Sequence, residues 1–505
     1  MSGSRLVVAA TLVASACIPN IPRGASVLDL ARSGPRVVAQ LEPAAADVYF
    51  SATVLAGSAS DPIGQEGLAA LTAVALTEAG AGARGPEVVR EVLYEVGGAL
   101  ETVVDKDQVT LRLRCHRDHA AVCGALFGDL LVAPRFDPTV VERLRDDAVA
   151  ALTVGVADDE EHLAMLALET WLFEGRPYGH PEVGRHGALP QLGAAQVRTF
   201  WDQHYLPGAT VLGVAGAADE ALVGSLVARW SERPDLPFRH EPLLRPLAVE
   251  GRELLVVDTG SEVVGYRLGQ LLEVDRSHPD WPALVLAFTA FGAHRQSFGV
   301  LFRSLRAERG LNYGTYAYVE PFRERGDAAL AEQGVLRRQS MLHLWLRPTS
   351  QENAPFALKL ALDELARLAR DGITQDQLDD TRSYLLGSLP LTAPDPGRRL
   401  AFAVEAEAAG APDPTALLPL ALAELTVERV NAALYRHLRP DDLRIVAVGG
   451  DPAALVARIT GEAPTPIVYQ GVTPDAAQAA RDAEVAAQAL GISGVRVVPA
   501  AALFQ

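Results

Sequence analysis

The feature that most constrains this chain is that it repeats itself. ALFGDLLVAPRFDPTVVERLRDDAVAAL (125–152) and LALDELARLARDGITQDQLDDTRSYLLGSL (360–389) share one pattern, an amphipathic helix, a short break and a second helix. VRTFWDQHYLPGATVLGVAG (197–216) and VNAALYRHLRPDDLRIVAVGG (430–450) share another, a helix, a turn and an apolar strand. The two matches recur in the same order, so each half is expected to be a version of one unit of about 200 residues. Strand candidates open the first unit at Val27–Val38 and Ala46–Ala56, and two more, Ala99–Val104 and Gln108–Cys115, are joined by the polar DKD. Asp118 is a candidate cap for the helix that follows, running to Leu131. The expectation is an α+β chain of two tandem homologous domains, each a mostly antiparallel sheet covered on one side by helices. They span residues 27–235 and 251–465, with a proline-rich polar linker at 236–250 and an Ala-rich tail at 466–505.

Charge removes one class of function. Lys+Arg 45 against Asp+Glu 63 gives −18, with no basic stripe to displace counterions from phosphates, so no nucleic-acid partner is expected. Residues 1–17 read as an export signal, with Arg5 at its start, the apolar run Leu6–Val13, and Ala14-Ser15-Ala16 before Cys17. Cys17 is then either a lipidation site, giving membrane attachment at a bacterial envelope, or simply follows a cleaved signal; a buried first strand is the remaining alternative. Later in the chain no apolar run approaches the length of a membrane span. Cys115 and Cys123 either form one bridge, as an exported protein allows, or stay buried thiols.

The segment Leu301–Tyr313, LFRSLRAERGLNY, carries the most distinctive chemistry. Leu301, Phe302, Leu305 and Arg306 fall at helical spacing, Gly310 suits a left-handed stop, and Tyr313–Val319 reads as a strand. The turn brings a guanidinium and a phenol close together.

With those pieces in place, the chain resembles peptidase family M16, the insulinase and mitochondrial-processing-peptidase group, in its short two-domain bacterial form. The resemblance rests on DPIGQEGLAALTAVALTEAGAG (61–82), VLYEVGGALETVVDKDQVT (92–110), the helix pair 125–152, YLPGATVLGVAG, LFRSLRAERGLNYG and DGITQDQL, in that order. It implies a zinc helix with an inverted His-x-x-Glu-His motif after the DPxGxxG turn, the histidines binding metal and the glutamate activating water. This chain departs from the motif at every place: Ala70 and Val74 stand for the histidines, Ala73 for the glutamate, and Ala150 or Ala151 for the distant ligand. The resemblance therefore implies no cofactor in this chain and zinc in a partner subunit. It also implies that Arg306 and Tyr313 reach substrate held against that zinc. The bland alternative is an internal ion-pair and hydrogen-bond set, with Arg306 facing Glu308 or Glu320.

Other candidate sites are weaker. Cys115, His116, His119 and Cys123 offer four ligand types within nine residues, but across a strand-to-helix junction. His162, His180 and His186 lie in or near a Gly/Pro-rich loop with no spacing that puts two on one face. The glycines at 80–85 and 97–98 lack the Lys-Ser/Thr of a phosphate loop, and Ser261 and Ser297 have no nucleophile-elbow context. Two functions are expected from this reading. The first is a zinc-free subunit of an exported periplasmic two-chain metallopeptidase, a pseudoenzyme alone, acting on peptide or unfolded polypeptide. The alternative is a catalytically inactive peptide-binding or scaffold protein of the envelope.

Overall fold

Two six-stranded sheets carry the chain. The computed structural model describes residues 6–8, 34–155, 159–234, 236, 238, 243–293, 296–320, 337–471 and 473–505. The strands are β1 (Leu6–Val8), β2 (Arg36–Leu41), β3 (Asp47–Val54), β4 (Ala99–Val104), β5 (Val109–His116), β6 (Thr210–Gly216), β7 (Arg252–Asp258), β8 (Val263–Leu272), β9 (Thr315–Tyr318), β10 (Ser340–Ser350), β11 (Leu443–Gly449) and β12 (Ile492–Pro499). The first sheet runs β1-β2-β6-β3-β5-β4 and the second β12-β7-β11-β8-β10-β9. Each has two parallel pairings followed by three antiparallel ones, so the duplication extends to strand order and direction. The expected α+β architecture of two tandem, mostly antiparallel sheets is what is found.

Each sheet buries one face on helices of its own half. Val48, Phe50, Ala52 and Val54 alternate inward from β3, and Val264, Tyr266, Leu268 and Leu272 do so from β8. The opposite faces are covered reciprocally, which the repeat did not reveal. Helix Glu160–Leu172 of the first half lies on β8 and β11, and helix Pro396–Ala409 of the second half lies on β6, β2 and β3. Glycines permit the close approach: a side chain on Gly269 would strike Leu168 and Leu172, and one on Gly213 would strike Val404 and Leu400. Leu400 and Val404 are fully buried there, together worth about 3–6 kcal/mol. Because Glu160–Leu172 touches both halves, it is apolar almost all round rather than striped.

Several expectations shift. The opening strand is Arg36–Leu41 rather than Val27–Val38, whose residues 27–33 lie outside the described residues, as does Cys17. Leu6–Val8, within the expected export signal, pairs in parallel with β2. Asp118 does not cap the next helix. That helix begins at Ala120, and the His116 ring instead accepts the Asp118 N–H. The expected α-helix through Arg306 is a π-helical turn, Phe302–Ala307, closed by Glu308 N–H to Arg303 O at 3.0 Å. The Ala-rich tail forms helix Ala476–Ala487, packed on helix Ala354–Asp371, and then the edge strand β12 of the second sheet, and the Phe504 carbonyl accepts His186 N–H of the first half. No described helix is long and apolar enough to cross a membrane.

Candidate functional site

The segment that the resemblance makes the metal cradle is built by Asp61. Its carboxylate accepts the Gly67 and Ala69 amides, each at 2.7 Å, tying the DPIGQEG turn to the start of helix Leu68–Glu78. Gly67 sits at φ 105°, and a Cβ there would meet the Val183 carbonyl at 2.6 Å, so only glycine fits. Burial pushes the Asp61 carboxyl up to about 8, against the pull of those two amides. On the helix itself Ala73 is fully buried, while Ala70 and Val74 are half-buried and Val74 packs against the apolar core. Ala150 and Ala151 are exposed where helix Pro138–Ala150 passes into a π-turn. Methyl groups at these places offer no lone pair, so the residues present do not fit a zinc ion.

Arg306 and Tyr313 are brought together. Gly310 takes φ 64° and reverses the chain. Arg306 Nη1 then donates to the Tyr313 carbonyl at 2.8 Å, with its guanidinium carbon 5.5 Å from the Tyr313 ring and 5.4 Å from the Phe302 ring. The contact is with the main chain of Tyr313. The ring, 77% exposed, keeps its phenol directed to solvent. Of the internal alternative, the expected ion pairs go to other arginines, Glu308 to Arg309 and Glu320 to Arg276, whereas the hydrogen bond to the Tyr313 carbonyl is internal. Arg309, buried, also bonds Asp482 at 2.8 Å and so anchors the turn that presents the pair.

A buried ionic cluster between the halves was not foreseen. The DKDQ turn, Asp105–Gln108, is almost wholly inaccessible. Arg337 of the second half forks onto Asp105 at 2.6 Å and 3.0 Å, touches Glu169, and reaches Glu182 at 3.3 Å. Arg338 chelates Asp107, which also accepts the Tyr178 hydroxyl. Lys106 donates to the His180 carbonyl at 2.5 Å and lies 3.4 Å from Glu182. Burial alone would lower the Arg337 guanidinium, but Asp105 and Glu169 outweigh it and hold it well above its ordinary value. The only sequence signals were a charged turn and an Arg-Arg pair before a strand, both ordinary solvated patterns.

The remaining candidates do not assemble. Cys115 and Cys123 form a disulfide, so neither is a thiolate ligand; His116 is exposed and faces Asp118. His180 is buried between the Pro181 and Ser58 carbonyls, and burial pulls it down to about 4, while His162 is exposed on another element. Among the described residues, the histidine–acid group close enough to share an ion is His278, Asp280 and His437, and there Asp280 is already forked by Arg436.

Residues 191–385 match the family model described as the peptidase M16 inactive domain. A Mycobacterium bovis protein named as an uncharacterized zinc protease is 24% identical over 69% of this chain and 76% of its own length. A Bacillus subtilis protein of the same description is 22% identical over 60% of this chain and 69% of its own length. Among solved structures, a peptidase M16 inactive domain from Pseudomonas fluorescens superposes with a TM-score of 0.73 at 22% identity, covering 84% of this chain and 98% of that one. A Helicobacter pylori protease gives a TM-score of 0.72 at 14% identity, covering 84% and 100%. The described chain therefore has the peptidase M16 fold, with residues 191–385 matching that family's inactive domain.

Proposed function

We propose that this chain is the non-catalytic subunit of a two-chain M16-type metallopeptidase, lending part of the substrate cavity and the Arg306–Tyr313 pair to a zinc-bearing partner. The observation that carries the reading is a contrast within one chain. The helix equivalent to the zinc cradle holds Ala70, Ala73 and Val74, while Arg306 and Tyr313 are held together with the phenol presented outward. A chain that had left peptidase work altogether would have no need to keep the second feature. Guanidinium and phenol donors hold peptide carbonyls and stabilise the oxyanion that develops when water adds to them. The edge strand β4 beside helix Leu68–Glu78 offers unpaired main-chain groups to an extended peptide. On this reading the protein is exported and works at the envelope, held there by Cys17 if that residue is acylated, and cleavage before Cys17 then removes the edge strand β1 from the first sheet.

The test is reconstitution. Mixed with a zinc-bearing M16 chain from the same organism, the protein is expected to raise hydrolysis of an unfolded polypeptide. Arg306→Ala or Tyr313→Phe should lower kcat about 100-fold, the range for loss of one oxyanion donor. Full activity of both variants refutes the role of the pair. Tight peptide binding with no turnover in any mixture favours the scaffold instead.

A further inference from the structure

In both halves the repeated unit closes with a helix after its last strand, Glu220–Trp230 after β6 and Pro452–Thr460 after β11. The second half then continues, and helix Ala476–Ala487 has no counterpart among the described residues of the first. Completing the repeated unit therefore does not account for it. Its buried residues are Asp482, Val485 and Ala486, so it offers the core one large apolar side chain and places a carboxylate beside it. The helix is nevertheless firmly seated on helix Ala354–Asp371. Lys359, 2% exposed, donates to the Ala486 carbonyl at 2.8 Å, and Asp363 takes Arg481 and, at 2.8 Å, the Gln488 side-chain amide.

From that seat the tail grips the turn that carries Arg306 and Tyr313 through a closed circuit of hydrogen bonds. Asp482 Oδ1 accepts Arg309 Nε at 2.8 Å, and Arg309 Nη1 donates to the Ser304 carbonyl and the Glu308 carboxylate, each at 2.7 Å. Gln478 Nε2 donates to the Glu308 carbonyl at 2.9 Å and to the Tyr469 hydroxyl at 2.7 Å, and that hydroxyl donates to Asp482. Burial and the adjacent Asp482 push the Tyr469 phenol up to about 12, so it keeps the proton that closes the circuit. Arg309 and Asp482 are both buried, so water does not compete for the central pair.

We infer that helix Ala476–Ala487, with Asp482 and Gln478 as positioning residues, sets the geometry in which Arg306 and Tyr313 are presented; this role rests on the pair serving a partner's active site as proposed above. Two observations carry it. The first is where the bonds fall. They reach Ser304, Glu308 and Arg309, on either side of Arg306, and among the described residues none reaches Arg306 or the Tyr313 phenol, so the pair is held without being consumed. The second is what they hold. The turn Phe302–Ala307 is π-helical, a geometry that is rare and often found at functional sites, and it decides how Arg306 meets the Tyr313 carbonyl. A buried, hydrogen-bonded ion pair adds little net stability but tolerates few alternative geometries, which suits positioning better than cohesion.

The test uses the full chain, alone and mixed with the zinc-bearing chain. Asp482→Ala and Gln478→Ala are compared with Glu484→Ala, an exposed position of the same helix. Alone, hydrogen exchange over 304–313, read by mass spectrometry, should quicken at least about tenfold in Asp482→Ala and in the same sense in Gln478→Ala, and not in Glu484→Ala. In the mixture Asp482→Ala should lower kcat about 10-fold to 100-fold with KM within about twofold, since displacing a donor by about 1 Å costs up to that much. Gln478→Ala should lower kcat about threefold, and because it leaves the Arg309–Asp482 pair intact it carries the test if Asp482→Ala does not fold. In an Arg306→Ala/Tyr313→Phe background the same substitutions should change kcat by less than about twofold, because they act through those side chains. Exchange unaltered over 304–313, or equal kcat losses with and without the pair, overturns the positioning role. Unaltered kcat in a mixture that Arg306→Ala impairs overturns it while leaving the role of the pair standing. Absence of hydrolysis in every mixture removes the peptidase reading instead, and the exchange result alone then decides whether the tail holds the turn.

Discussion

Arg337→Ala removes the guanidinium that touches Asp105, Glu169 and Glu182 together. Its side chain is only 2% exposed and Asp105 is wholly buried, so water cannot replace what is lost. Breaking one side of a buried ion pair costs about 3–5 kcal/mol, because the remaining charges keep their desolvation penalty. At about 2–4 °C per kcal/mol for a unit of 150–250 residues, the melting temperature should fall by roughly 6–20 °C. The companion variant Glu169→Gln should behave differently. Among the described residues four carboxylates (Asp105, Asp107, Glu169, Glu182) face three cations (Lys106, Arg337, Arg338), so neutralising one acid relieves repulsion as it removes attraction. Its cost should be about 1 kcal/mol or less. Calorimetry reads both shifts, and hydrogen exchange at the 105–108 amides should accelerate in Arg337→Ala. A drop under about 2 °C for Arg337→Ala, or an equal drop for the two variants, would refute the electrostatic reasoning.

Stability should also depend on pH through Asp61, whose carboxyl burial raises to about 8 from an ordinary value near 4. The unfolded chain releases this proton first, so the contribution is complete below about pH 4 and is lost as pH rises through 8. Asp61→Asn should flatten the profile of melting temperature across that window; an unaltered slope would show that another group controls it. Reduction of the Cys115–Cys123 bridge, or the Cys115→Ala/Cys123→Ala pair, should cost about 2–3 kcal/mol for so short a loop. Identical melts with and without reductant would contradict this.

Much of the fold was legible because its signals are local. Helix Ala194–His204 and helix Val427–His437 are the helices that the repeated stretches 197–216 and 430–450 call for, and Thr374 caps helix Gln375–Thr392. Helices Pro414–Glu424 and Pro452–Thr460 carry an equally local signal: each opens with an Asp-Pro pair in which the aspartate caps and the proline takes the first turn. The exchange of covering helices between halves was not legible. An apolar helix such as Glu160–Leu172 tells that it is buried, not on which sheet. The ion cluster was hidden for a related reason: Asp105, Lys106 and Arg337 read as solvated until distant strands close over them. Of the site, the loss of metal ligands could be read directly at Ala70, Ala73 and Val74, and Gly310 announced the turn joining Arg306 to Tyr313. That Arg306 would grip the Tyr313 carbonyl and leave the ring outward depends on the π-helical turn, which side-chain periodicity does not encode.

Metal analysis of the purified chain together with a peptide-hydrolysis assay is the shortest route to the central claim, that bond cleavage does not originate in the helix Leu68–Glu78. The account predicts far less than one zinc per chain after dialysis, and no hydrolysis that a chelator suppresses. One tightly held zinc per chain, with turnover lost on chelation and regained on zinc addition, would contradict it.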